Sequence, residues 1–129
     1  MEPAEEREHI EAALAPFVRD VRATLDPDFE ILVTSELDGS WTWSHHGSLV
    51  ERGTTWATIP HALGLAHLIA HLAEDIPDGA FDEVLEPWPR CPTHCDHPLY
   101  PAVRVDQAVW TCRNGGSVSI PIGELAASN

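Results

Sequence analysis

The stretch FEILVTSELDGSWTWSHH, residues 29–46, decides the fold class. Phe29, Ile31, Val33, Ser35 and Leu37 recur at every second position, the period of a strand with one face on a core. Asp38-Gly39 is a tight-turn pair, and it leads into a second extended run from Ser40 to His46. Two antiparallel strands are expected. Trp41, Trp43 and His45 share one face of the second strand, with Trp56 further on. Aromatic residues at period two generally pack under a helix; the other reading is a binding face. Residues 49–58 are rich in β-branched side chains but include Gly53 and alternate poorly, which fits a third strand or an irregular return.

Helical periodicity flanks this hairpin on both sides. Ile10, Leu14, Phe17, Val18, Val21 and Leu25 predict an amphipathic helix over residues 2–25. Pro16 removes one backbone donor, yet the stripe keeps its phase across it, so a kink is expected and not a stop; Asp26-Pro27-Asp28 ends the helix. Downstream, Pro60 suits an early helical position, and Ala62, Leu65, Ala66, Ile69, Leu72, Ala73 and Ile76 predict a second helix to about Asp75 whose apolar side covers the sheet. Residues 77–90 hold three prolines and a run of acids, a connector with one short helical turn around Phe81 to Leu85. Beyond it, residues 99–105, 108–112 and 117–122 read as three short strands joined at Asp106-Gln107 and at Asn114-Gly115-Gly116.

The fold class expected is therefore α+β: a kinked N-terminal helix, a small antiparallel sheet, a second helix and a β-meander tail held by zinc. Residues 1–87 form the α+β core and residues 88–129 a zinc-ribbon-like C-terminal subdomain packed on it or linked to it. At 129 residues the chain is long enough to bury a core of its own. If both helices cover one side of the first sheet, its other side needs a cover, which a second copy of the chain would supply as a homodimer.

Charge narrows the partners. Twenty-one acidic residues face seven basic ones, a formal net charge of −14, with no lysine at all. Arg7, Arg19, Arg22, Arg52, Arg90, Arg104 and Arg113 are scattered singly, so no local patch reverses a field that repels phosphate backbones; nucleic acid and anionic membranes are excluded as partners. No apolar run approaches the roughly 20 residues of a membrane span, and five Glu among residues 1–11 argue against a secretory signal. The cytoplasm is the expected setting, where thiols stay reduced.

All three cysteines lie in the tail, in Cys91-Pro92-Thr93-His94-Cys95-Asp96-His97 and at Cys112. Zinc in structural sites takes four Cys or His ligands tetrahedrally, supplied by a spaced pair on a turn and completed from a neighbouring strand. Cys91-x-x-His94 would provide the turn and Cys112 the return. Cys91, His94, His97 and Cys112 are the ligand set, with Cys95 spare because adjacent side chains diverge in an extended turn. Cys95 in place of either His is the alternative, and buried thiols beside surface imidazoles, or a disulfide from Cys95 to Cys91 or Cys112, are the simpler ones. Four protein ligands leave no position for water or substrate, so the ion would be structural, and its removal is expected to melt residues 91–125 while leaving the helices.

The stretch from Trp88 to Leu125, with Trp-Pro-Arg-Cys-Pro-Thr-His-Cys-Asp-His-Pro-Leu, Ala-Val-Trp-Thr-Cys and Ile-Gly-Glu-Leu, resembles the C-terminal part of small actinobacterial proteins with a zinc-ribbon-like Cys-Pro-x-His…His-Pro-Leu…Trp-x-Cys motif. That resemblance spans about a third of the chain and implies a zinc-stabilised tail, with no activity attached. Cys95 departs from the pattern.

Other donor patterns carry less chemistry. His67, His71 and Glu74 share one helix face and could bind a second metal, but Leu68 stands where a zincin needs Glu. His9-Ile10-Glu11 matches half of a zinc-deaminase signature, whose Pro-Cys-x-x-Cys half is missing. Cys95 beside His94 lacks the oxyanion hole of a thiol nucleophile. The function expected is a zinc-binding, non-enzymatic interaction or regulatory module; the alternative is a small metal-dependent enzyme with an open or second metal site near His67 and His71.

Overall fold

A computed structural model describes residues 2–48, 53–54, 58–81, 84, 87–92, 97–112 and 118–126. The chain is α+β, with two helices and two small antiparallel sheets. Helix α1, Pro3–Thr24, starts with proline where the backbone donor would be unsatisfied anyway, and Glu5 and Glu6 complement the dipole of its first turn. It runs unbroken through Pro16. The expected stripe is buried at Ile10, Leu14, Phe17 and Val21, and Ala13 and Asp20 join it.

The first sheet has order β1-β2-β3, with β1 Glu30–Ser35, β2 Trp41–His46 and β3 Gly53–Thr54. Ser35 pairs with Trp41, and Glu36 N–H donates to the Ser40 carbonyl at 2.8 Å. Gly39 closes the turn at φ +88°, a left-handed conformation that costs a glycine nothing. The Ser40 hydroxyl and backbone N–H both donate to Asp38, which holds its carboxyl below the usual carboxylate range. Leu37, expected on the core face, is instead fully exposed, because Glu36 is the last paired residue and Leu37 belongs to the turn. Trp41 and Trp43 are buried, as packing under a helix requires. The Trp41 indole donates to Glu6 at 2.8 Å, Arg7 stacks over its ring at 5.0 Å, and the His9 ring contacts the Leu63 carbonyl at 2.8 Å. These contacts fasten the first half of α1 to the sheet and to the turn before α2.

Helix α2 spans Leu65–Ala80, so its expected limits shift at both ends. Ile59 N–H donates to the Trp41 carbonyl, and Pro60 heads a turn closed by Leu63 N–H, leaving Gly64 as N-cap. At the other end Pro77 lacks a donor but does not stop the helix. Ile76, Ala80 and Phe81 are buried, and that burial offsets the lost bond. The apolar side is centred on Leu68, Leu72, Ala73 and Ile76; Leu65, expected there, is exposed in the first turn. It packs against α1 and the second sheet, whereas the spacing alone assigned it to the first.

That second sheet has order β4-β5-β6, from Tyr100–Arg104, Gln107–Thr111 and Ser119–Pro121. Its first turn is Val105-Asp106, one residue earlier than expected, with φ 49° and 59°, the two positive values of a type I′ hairpin. The expected turn at Asn114-Gly115-Gly116 lies outside the described residues. No helix among the described residues is long and apolar enough to cross a membrane.

One core unites these parts. Phe17 lies 6.3 Å from Phe29, 6.4 Å from Phe81 and 5.8 Å from Trp88, and Trp88 lies 5.6 Å from Trp110, centroid to centroid. Asp20, 1% exposed, accepts from the Trp110 indole at 2.8 Å, from Gly123 N–H at 2.6 Å and from Leu125 N–H at 3.0 Å. Gly123 has φ +108°, and a methyl group there would stand 3.0 Å from the Pro16 ring, so only glycine lets the tail reach the helix this closely.

Two outcomes follow for stability. Asp20→Ala strands three buried donors and is expected to cost about 3–5 kcal/mol in urea unfolding, with less lost in Asp20→Asn. Val105 is exposed, β-branched and left-handed, so Val105→Asn is expected to raise stability by about 1 kcal/mol in the same assay.

Candidate functional site

Cys91 and Cys112 are both buried, at 0% and 5% exposure, and no disulfide joins them. Arg90 bridges Pro98 in antiparallel fashion, and Leu99 N–H donates to the Pro89 carbonyl at 2.7 Å. Extending that register sets Cys91 opposite His97. On the other side, the pairing of Tyr100 with Thr111 sets Leu99 opposite Cys112. The two cysteines therefore border the same segment, residues 97–99, from opposite sides. His97 is partly exposed, and its Nδ1 stands 3.5 Å from the Pro98 carbonyl.

His94 and Cys95, one expected ligand and its alternative, lie outside the described residues, as does Trp56. Among the described residues, no group of three or more His, Cys, Asp or Glu side chains is close enough to hold a metal ion. Thiol and imidazole are the donor types of structural zinc sites, but Cys91, His97 and Cys112, all three described, do not make a three-donor group.

The remaining donors serve other ends. His67, His71 and Glu74 lie on the exposed side of α2 and make no three-donor group. His9 is occupied by the Leu63 carbonyl. A shallow polar cavity of about 630 Å³ is lined by Arg22, Asp28, Glu30, His46 and Ser48, but its groups satisfy one another. His46 Nε2 lies 3.0 Å from Glu30, Arg22 Nε donates to the Phe29 carbonyl at 2.7 Å, and the Ser48 hydroxyl donates to Asp28 and not to a histidine. No activated serine results.

A second cavity, about 480 Å³, opens between α2 and β4. Trp88, Tyr100 and Trp110 supply aromatic surface, with Glu74 and Asp78 from α2 and His97 at its margin. Sequence periodicity does not reveal this cleft. The i, i+4 spacing of Glu74 and Asp78 marks them as neighbours, and Trp88 and Tyr100 stand in a proline-rich run, but nothing local places α2 beside β4.

No protein-family model, curated protein or solved structure shows significant similarity to the chain.

Proposed function

We propose that the chain is a zinc-binding protein in which Cys91, His94, His97 and Cys112 hold one structural ion, and that it serves as a non-enzymatic interaction or regulatory module of the cytoplasm. The observation that carries this reading is the burial of Cys91 and Cys112 on either side of the segment that begins with His97. Isolated thiols are often buried as small apolar groups. Two of them flanking one histidine-bearing segment, with another Cys and His within four residues of Cys91, are better explained by a shared ion.

When bound, zinc supplies folding free energy and no open coordination position. The protein's part is to hold the donors. Leu99, buried between the two cysteine-bearing segments, anchors one end of the site to the core. Arg90 and Pro98 close the other by their bridge. Ligating thiols must be deprotonated, so affinity falls with acidity.

Elemental analysis of protein purified without chelators is expected to find roughly one zinc per chain, lost in Cys91→Ser and Cys112→Ser and retained in Cys95→Ser. Burial alone shields both sulfurs, so slow alkylation of the native thiols is not diagnostic. Its acceleration by a chelator is, together with faster amide exchange over residues 97–112. A metal-free protein whose alkylation rate ignores chelator would sink the proposal.

A further inference from the structure

We infer that the cleft between α2 and β4 binds a small organic cation with an alkylated ammonium head. Its volume, about 480 Å³, falls within the ~300–1,000 Å³ of clefts that enclose small ligands. Trp88 and Tyr100 are its partly exposed aromatic residues, with Trp110 beneath them. Both indole N–H groups are already committed to the core, Trp88 to the Thr24 hydroxyl at 3.0 Å and Trp110 to Asp20 at 2.8 Å. Trp88, the partly exposed one of the two, therefore offers a ligand its π-electron ring surface and no indole donor. Rings with that quadrupole attract cations, and a methylated ammonium loses little hydration in leaving water.

Charge selects the same ligand. Among the described residues, Glu74 and Asp78 are the acidic groups lining the cleft, one helical turn apart on the exposed side of α2. No arginine is among the described lining residues, and the chain has no lysine. With a net charge of −14, the long-range field draws cations and repels anions. Carboxylates on one wall and aromatic rings on the other form the two halves of an ammonium site. Prolines at 77, 89, 98 and 101 line the cleft and stiffen its walls, and its volume matches a small molecule. His97 stands at its margin, but neither Cys91 nor Cys112 lines it, and the aromatic and acidic groups invoked here are not among the proposed metal ligands.

Choline and its neutral isostere 3,3-dimethylbutan-1-ol separate charge from shape. In titrations of the full chain followed by NMR, choline is expected to shift the Trp88 and Trp110 indole signals saturably while leaving Trp41, on the first sheet, unchanged. The isostere is expected to bind about tenfold more weakly, and Glu74→Gln and Asp78→Asn each to weaken choline several-fold. Both positions are exposed, so the variants keep their fold, which unshifted signals elsewhere verify. Equal binding of choline and the isostere, or no saturable shift at either indole, overturns the assignment. So does a trimethyllysine peptide that binds more than tenfold tighter than choline, which would make the occupant a protein.

Discussion

The carboxylate of Asp20 joins what the helix periodicity alone would leave apart. It is buried on α1, and a buried carboxylate is tolerated only when its lone pairs are filled. Three donors fill them, from residues 90 to 105 positions away in sequence. One helix position thereby fixes the Trp110 side chain of β5 and the chain at Gly123 and Leu125. The neighbouring turn repeats the device: Thr24 donates to the Asp20 carbonyl and accepts from the Trp88 indole. The last turn of α1 thus positions both tryptophans of the cleft.

Burial of aromatic surface supplies the driving force that these polar bonds direct. Phe29 of the first hairpin meets Phe17 of α1 and Phe81 after α2, both of these meet Trp88, and Trp110 extends the chain of rings into the second sheet. Rings meeting edge to face add a modest term beyond area burial, while non-directional burial would accept many arrangements. Asp20 and Thr24 select among them by requiring each indole nitrogen at one place. Residues on both sides of Pro87 consequently share one core.

Legibility in the sequence followed the range of the interaction. The first hairpin was plain because period-two alternation and Asp38-Gly39 are local, and α1 because Ile10, Leu14, Phe17 and Val21 keep phase through Pro16. The limits of α2 misled because Pro60 and Pro77 both carry strong local preferences that tertiary contacts overrode: Ile59 is drawn to Trp41, and Ile76, Ala80 and Phe81 are drawn into the core. The turn at Val105-Asp106 broke the usual residue preference outright. Asp20 was invisible, since an acid between Arg19 and Val21 reads as solvated surface. The same holds for the site. The candidate donors Cys91, His94, His97 and Cys112 stand out by residue type and spacing alone, whereas the cleft of Trp88 and Tyr100 exists only because a helix and a strand distant in sequence meet.

The cleft's walls differ in what holds them. Its floor is fixed from α1, through indole bonds to Asp20 and Thr24, and this part is as stable as the core. Its outer wall, from His97 to Tyr100, hangs on Leu99 and on the bridge from Arg90 to Pro98. That bridge is a single pair, and segments held in this way open at a lower free-energy cost than the strands beside them. An ion at Cys91, His97 and Cys112 would tie this wall from both sides, and loss of the ion would loosen the wall while the floor stayed in place. A ligand held between floor and wall would favour the same closed arrangement, because binding to one state of a local equilibrium stabilises that state in proportion to occupancy. Metal and ligand would then reinforce each other through the position of four residues, with no rearrangement of either helix.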